Sequence, residues 1–172
     1  MKPVLYIFSG LPGTGKSTLA KEISKIYKAA YFRIDTIEQG LRDICLINVQ
    51  GEGYRLTHRI VKDNLETGND VVVDCCNPWE LTRNEWEDVA IQSNSNYINI
   101  ETVCSSIDEH KRRINERISE IEGLKLPTWE GIKKREYHDW KKEIIRIDTA
   151  NKKNSECINE LIMKIKTEKN NV

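Results

Sequence analysis

The residues Gly10-Leu11-Pro12-Gly13-Thr14-Gly15-Lys16-Ser17 fit the pattern GxxxxGK[ST]. Each residue type in it answers a chemical need. A triphosphate concentrates negative charge, and backbone N–H groups surround it only where no Cβ blocks the approach, which calls for glycine. A helix opening at the lysine adds its unpaired first-turn amides and the positive end of its dipole. Lys16 is then expected to reach the β and γ phosphates, and the Ser17 hydroxyl to ligate Mg²⁺. With Thr18, the stretch Gly10 to Thr18 is the predicted ATP-binding segment.

Two carboxylates extend this chemistry. Asp74 follows the apolar triplet Val71-Val72-Val73. It is read as the second metal residue, because a metal bridging two phosphates needs an anionic partner beyond the Ser17 hydroxyl. The plainer account is a strand-end aspartate capping the next turn. Asp35 closes the run Ala29 to Ile34. Transfer of a phosphoryl group to an alcohol needs a base beside the acceptor hydroxyl, and Asp35 is the candidate. It is equally a good N-cap for a helix starting at Thr36, and the two roles are compatible.

Arg112, Arg113 and Arg117 crowd one predicted helix, with Arg113, Arg117 and His110 opposite an isoleucine stripe of Ile107, Ile114, Ile118 and Ile121. A solvated basic face is the plain account of such a run. Phosphoryl transfer also needs cations that arrive on closure, and this helix leads into a Gly/Pro-broken segment, so Arg117 and then Arg113 are candidate catalytic cations. On the acceptor side Arg33, Arg42 and Asn77 join Asp35 as candidates, and Arg83 is a further cation. Asn77 before Pro78 also has a complete account as a helix start. Cys75 and Cys76 are expected to pack in the core, as free cysteines usually do.

These groups need a scaffold that brings strand ends to one edge. The chain reads as alternating strands and helices: an apolar strand from Val4, a helix carrying Leu19, Ile23, Ile26 and Tyr27, a strand Ala29 to Ile34, and a helix Thr36 to Cys45. A helix with Tyr54, Thr57, Val61 and Leu65 follows, stopping at Gly68, then the strand Val71 to Val73 and a helix to about Gln92. Tyr97 to Val103 is the fourth strand. A capping-box pattern at Ser106 to Glu109 starts the basic helix. A segment from Trp129 to Trp140 reads as amphipathic, Ile144 to Ile147 as the fifth strand, and Cys157 to Ile165 as a closing helix, with fraying expected over 166–172. Such alternation implies an α/β fold with a doubly wound parallel sheet. Ligands bind such sheets at the carboxyl ends of the strands, where Asp35 and Asp74 converge on the glycine loop.

At 172 residues one domain spanning 1–172 is expected. Lys and Arg total 27 against 27 Asp and Glu, so no general attraction to nucleic acid or to an anionic membrane is predicted. Five cysteines form no CxxC pair and share no ligand spacing with the three histidines, which argues against structural zinc. Their odd number, with no signal-like leader, leads us to expect the reducing cytoplasm.

Taken together, the pieces GLPGTGKSTLA, RID at Arg33 to Asp35, VVVDCCNP at Val71 to Pro78, HKRRINER at His110 to Arg117, and IDTA at Ile147 to Ala150 resemble the small-molecule P-loop kinases of the adenylate-kinase-like class. The likeness is nearest to bacterial predicted kinases labelled AAA-family ATP-binding proteins, with adenylylsulfate kinase, gluconate kinase, chloramphenicol phosphotransferase and polynucleotide kinase more distant. The resemblance implies a three-layer α/β/α P-loop NTPase sandwich with strand order 2-3-1-4-5, ATP with Mg²⁺, and Asp35 as base. It also implies a helical lid over about 107–140 carrying Arg113 and Arg117, and an adenine-contacting loop at Asp148, Thr149 and Ala150. No acceptor-pocket signature for sulfate, gluconate or antibiotic accompanies these pieces. The partner expected beside ATP is a small-molecule hydroxyl compound, and the chain is expected to act as a monomer or homodimer. A nucleotide-responsive ATPase module and a polynucleotide 5'-hydroxyl kinase are the rival readings.

Overall fold

The strand β1 (Val4–Ser9) is buried along its whole length, which places it at the middle of the fold. The computed structural model describes residues 2–170. Around β1 lie β2 (Ala30–Arg33), β3 (Val71–Asp74), β4 (Asn96–Val103) and β5 (Ile145–Asp148) in one five-stranded sheet of order β2-β3-β1-β4-β5. Every pairing is parallel. Helices α1 (Lys16–Tyr27) and α7 (Asn154–Asn170) cover one face, and α3 (Glu52–Glu66) and α4 (Glu80–Gln92) the other. The expected three-layer α/β/α P-loop sandwich is the observed one. Alternate β1 side chains serve the two cores: Tyr6 and Phe8 pack with Leu19, Ile23, Leu161 and Ile165, while Leu5 and Ile7 pack with Val61, Leu65, Trp86 and Ala90. A strand buried on both faces has no polar alternation to show, as β1 and β3 read in the sequence.

Several local expectations are corrected. Helix α2 (Ile34–Cys45) starts one residue before Asp35, and its cap position is Arg33, in extended conformation and without a side-chain cap bond. Asp35 therefore lies inside the first turn and is not the cap. Asn77 does not cap α4 either, because that helix begins at Glu80 behind Trp79. Asn77 instead takes a left-handed conformation (φ 50°) and is buried.

The basic helix α5 (Ile107–Glu116) is capped as expected by Ser106 Oγ, which accepts from the Glu109 amide. It ends earlier than the isoleucine stripe required, with Arg117 extended at ψ 130°. Of the stripe Ile114 alone is buried, while Ile107 and Ile118 are 70% and 88% exposed. Beyond the helix end the chain is tied back by Glu120, which pairs with Lys21 at 2.6 Å and Arg33 at 3.0 Å. The amphipathic segment expected to Trp140 forms only a short helix, α6 (Trp129–Lys133), followed by irregular chain to β5. Fraying expected over 166–172 is not seen through Asn170, where Lys169 Nζ lies 4.5 Å from the Tyr27 ring centroid. Residues 171 and 172 lie outside the described residues.

Candidate active site

The glycine loop runs from the end of β1 into α1, and its backbone needs glycine for reasons beyond phosphate approach. Gly10 has φ +143°, and a Cβ there would stand 2.5 Å from the Thr102 carbonyl oxygen of β4. Gly13, at φ +83°, would meet Ile114 Cδ1 of α5 at 2.6 Å. Behind the loop, side chains take up its carbonyls. Thr14 Oγ1 donates to Leu11 O at 2.8 Å, Thr149 Oγ1 donates to Thr14 O at 2.9 Å, and His110 Nε2 lies 2.7 Å from Pro12 O. The His110 ring is edge-on to Trp129, with centroids 5.2 Å apart. His110 and Ile114 are four apart, so one face of α5 seats on the loop. Contrary to the basic outer face expected of it, His110 is buried.

In front of the loop is a cavity of about 460 Å³ lined by residues 10–13 and 15–18, with Arg33, Asp35, Cys76, Arg113, Arg117, Glu120 and Arg135. Thr14 is absent from this lining; its hydroxyl shares a 2.8 Å contact with Thr102 Oγ1 in the interior. At the cavity floor Lys16 Nζ lies 2.5 Å from Asp74 Oδ1, and Tyr31 Oη donates to Asp74 Oδ2 at 2.6 Å. Burial pushes the Asp74 carboxyl up, but Lys16 and hydrogen bonds from Ser17 and Tyr31 outweigh it and hold the group below its usual range. Burial likewise disfavours the Lys16 charge, and the Asp74 carboxylate reverses that effect, leaving its pKa raised. Both groups are thus held in their ionised forms.

A second cavity of about 440 Å³ lies between α2 and the irregular stretch 117–127. It is lined by Asp35, Glu38, Gln39 and Arg42 from α2, by Arg117, by residues 123–127, and by Arg135. Pro12, Asp35, Arg117 and Arg135 line both cavities. Among the described residues neither Arg117 nor Arg135 has a carboxylate within ion-pair distance. Arg135 Nη1 lies 3.5 Å from Cys76 Sγ. Arg42 Nη2 pairs with Glu38 Oε2 at 3.2 Å. Burial raises the Glu38 pKa even against the pull of that guanidinium.

Other predicted residues have different places. Arg113 donates to Thr149 Oγ1 at 2.8 Å and Thr149 O at 2.9 Å, and pairs with Glu109 at 2.7 Å, so this cation at the cavity wall is already engaged. Asp148 Oδ1 accepts from the Ser105 and Ala150 amides, bracing the turn after β5. Neither Asp148 nor Thr149 lines the first cavity; Asn154, at the start of α7, does. Arg33 is buried between Glu120 and Asp74, with Nε lacking a hydrogen-bond partner. Asn77 lies in the interior, where its Nδ2 donates to Ser9 Oγ at 3.0 Å and its carbonyl accepts from Arg83 Nε at 3.1 Å. It therefore does not line the acceptor side. Arg83 is also buried, donating to the His138 carbonyl at 2.8 Å and lying 4.0 Å from the Trp140 ring centroid. Cys75 is in the core as expected, but Cys76 is at the cavity wall.

Sequence reasoning missed Arg135, Lys125 and Glu120. Glu120 falls within the stretch of the isoleucine stripe and Arg135 within the segment read as amphipathic, but both are off the apolar positions, and Lys125 lies in the Gly/Pro break, so neither motif nor period singles them out.

A model of the ATPase family associated with various cellular activities (AAA) matches residues 6–73, the stretch from β1 to β3. No curated protein matches the sequence. Among solved structures, the chain is similar to an APS kinase from Mycobacterium tuberculosis in complex with AMPPNP and APS, at TM-score 0.70 and 17% identity, covering 96% of this chain and 98% of that one. A gluconokinase from Sinorhizobium meliloti gives TM-score 0.69 and 15% identity, over 99% and 95% of the two chains. Kti12 from Chaetomium thermophilum in complex with ADP-AlF3 gives 0.68 and 17%, over 94% and 96%. At such identities the likeness is one of fold, and the chain has the P-loop kinase-like fold, with its glycine loop, Lys16 and Asp74 at the edge where that fold opens.

Proposed function

We propose that the protein is an ATP- and Mg²⁺-dependent kinase that transfers the γ-phosphoryl group to a hydroxyl of a small molecule. The observation that carries this reading is the meeting of two cavities at Asp35, Arg117 and Arg135, beside Pro12 of the glycine loop. A module that only hydrolyses nucleotide needs one chamber and a water. A second chamber opening onto a carboxylate suits an alcohol.

In this reading the loop and Lys16 hold the triphosphate. Ser17 and Asp74 are hard oxygen donors, with the Asp74 carboxyl held ionised, and no cluster of three or more His, Cys, Asp or Glu forms a cage among the described residues. That donor set fits Mg²⁺, which keeps phosphate and water among its ligands and, when bound, neutralises charge on the β and γ oxygens. Asp35 accepts the acceptor's hydroxyl proton as its oxygen bonds to the γ-phosphorus. The bond from that phosphorus to the bridging oxygen breaks, and ADP leaves with the electron pair. Arg117 and Arg135 stand at the mouth where charge on the transferred group is shared. The segment 107–140, anchored through His110 and Glu120, acts as the lid.

The test is ADP release and phosphate incorporation with Mg-ATP and a panel of nucleosides, sugars, aminoglycosides and 5'-hydroxyl oligonucleotides. One compound should raise ADP release above background and itself gain phosphate. Asp35→Asn should lower transfer by about 10²–10⁴-fold while leaving the ATP Kd nearly unchanged. ADP release indifferent to every alcohol and to Asp35→Asn would instead favour a nucleotide-responsive module. Salt-sensitive phosphorylation of the oligonucleotide alone would favour the polynucleotide kinase.

A further inference from the structure

We infer that the second cavity receives an anionic alcohol, a small molecule whose hydroxyl faces Asp35 while an acid group at its other end rests on Arg42 and Lys125. The inference rests on the kinase reading for the hydroxyl end, and on the lining of the second cavity for the acid end.

Six ionisable side chains line that cavity: Asp35, Glu38, Arg42, Arg117, Lys125 and Arg135. Four are cations and two are carboxylates, an excess of two positive charges in a chain whose formal net charge is zero. One pair cancels, Arg42 with Glu38 at 3.2 Å. Among the described residues Arg117, Lys125 and Arg135 have no carboxylate within ion-pair distance. Arg117 and Arg135 belong to the mouth shared with the first cavity, where the transferred phosphoryl needs them. Lys125 lines the second cavity alone, as do Arg42 and Glu38. An enclosure with surplus, unpaired positive charge selects an anion from solution, since like charges crowded there without a partner repel one another.

The Arg42 pair is suited to yield. It is part-exposed, and such pairs contribute little to stability. Burial already raises the Glu38 pKa, so a ligand anion competes for the guanidinium against a carboxylate that burial disfavours. The planar fork of Arg42 takes phosphate or carboxylate with two parallel hydrogen bonds, and Lys125 adds a point charge. Leu124, Leu126 and Pro127 give the same cavity an apolar part of its lining. Gly123 admits the close approach of Gln39, because a Cβ there would lie 3.0 Å from Gln39 Nε2. A neutral polyol would leave the surplus charge uncompensated.

Binding and turnover are tested separately. Protein saturated with AMPPNP and Mg²⁺, so that the glycine loop is occupied, is titrated with inorganic phosphate and separately with acetate, following backbone amide shifts by NMR. The amides of residues 123–126 should move with at least one of the two anions, and the stronger responder identifies the acid group as phosphate or carboxylate. In a Lys125→Ala/Arg42→Ala protein that affinity should fall about tenfold or more, the loss expected for charged hydrogen bonds. Silence at 123–126, or equal shifts in the double variant, would overturn the inference whether or not the protein transfers phosphate. In turnover, paired compounds such as glycerol, glycerol 3-phosphate and glycerate should separate by charge. The double variant should raise the acceptor KM and leave the ATP KM alone. A neutral alcohol phosphorylated as well as its anionic partner would leave the kinase reading standing and remove this one.

Discussion

The glycine loop and the stretch 117–144 wall the same active-site edge, yet the sequence encodes them in opposite ways. The loop is short-range chemistry: an apolar strand, glycines at positive φ, and a helix, each legible within a few residues of itself. The 117–144 stretch has one five-residue helix and is otherwise irregular. It is held by single long-range contacts: Glu120 to Lys21 and Arg33, Arg83 to the 138 and 139 carbonyls, and Trp140 to Glu101. The glycine loop and the wall of the second cavity are thus built from different kinds of information. In the proposed kinase the loop meets the same triphosphate whatever the acceptor, whereas this 117–144 strap would set which alcohol enters.

The largest effect that would break this contrast is at Gly10. Gly10→Ala forces a Cβ against the Thr102 carbonyl at a φ that alanine rarely adopts. A loss of about 3 kcal/mol is expected from backbone strain and overpacking together. Chemical denaturation reads the stability, and loss of nucleotide binding should accompany it. A fully stable Gly10→Ala protein would mean that the loop is less pinned by β4 than the geometry requires.

On the other side of the comparison, Arg83 ties the strap to α4. Its guanidinium donates to the Asn77, Pro78, His138 and Asp139 carbonyls. Arg83→Met retains length but strands those acceptors, at a cost of about 2 kcal/mol. The strap should open before the sheet, so limited proteolysis should cut within 134–144 while nucleotide binding persists. Simultaneous loss of both would merge the two regions into one cooperative unit.

How much was legible follows the same division. The strands, the loop with Lys16 and Ser17, and the strand-end placement of Asp74 were legible because apolar runs and glycine spacing are local signals, whereas the strand order came only with the resemblance to P-loop kinases. Asp35 lies at the expected edge but not at the expected cap position, because α2 begins at Ile34, two residues before Thr36. Asn77 before Pro78 looked like a cap; its left-handed backbone instead turns it inward to Ser9 and Arg83. Arg113 shares a face with Arg117, yet Thr149, distant in sequence, holds it. Arg135, off the apolar positions of a segment that reads as amphipathic, and Lys125, in the Gly/Pro break, come to the second cavity on irregular chain, so no pattern in the sequence marks them.

A smaller effect tests the sheet's far face, which carries neither region. His58 lies edge-on to Trp86 at 4.2 Å, its Nε2 is buried without a partner, and burial pushes its pKa down to about 4. The unfolded histidine titrates near 6.5, so between about 6.5 and 4 the unfolded state binds more protons and stability falls as pH drops. Allowing for its partial exposure, about 1 kcal/mol should be lost between pH 7 and pH 5. Denaturation midpoints of wild type and His58→Gln should diverge by that amount in slope, and parallel curves would remove the effect.

The smallest effect is the sharpest test of how the strap departs from helical order. A helix continued through Ile121 would bury Ile118 on the same stripe as Ile114, and truncating it would then cost a few kcal/mol, as large-to-small core changes do. The chain instead turns extended at Arg117, leaving Ile118 88% exposed while Ile114 is 6% exposed against the glycine loop. Ile118→Ser should therefore change stability by no more than about 0.5 kcal/mol, the usual range for a surface site. Because Ile118 also lines the first cavity, any effect should appear in nucleotide KM and not in the unfolding midpoint. A stability loss with unchanged KM would restore the continuous helix and move Arg117 away from the junction of the two cavities.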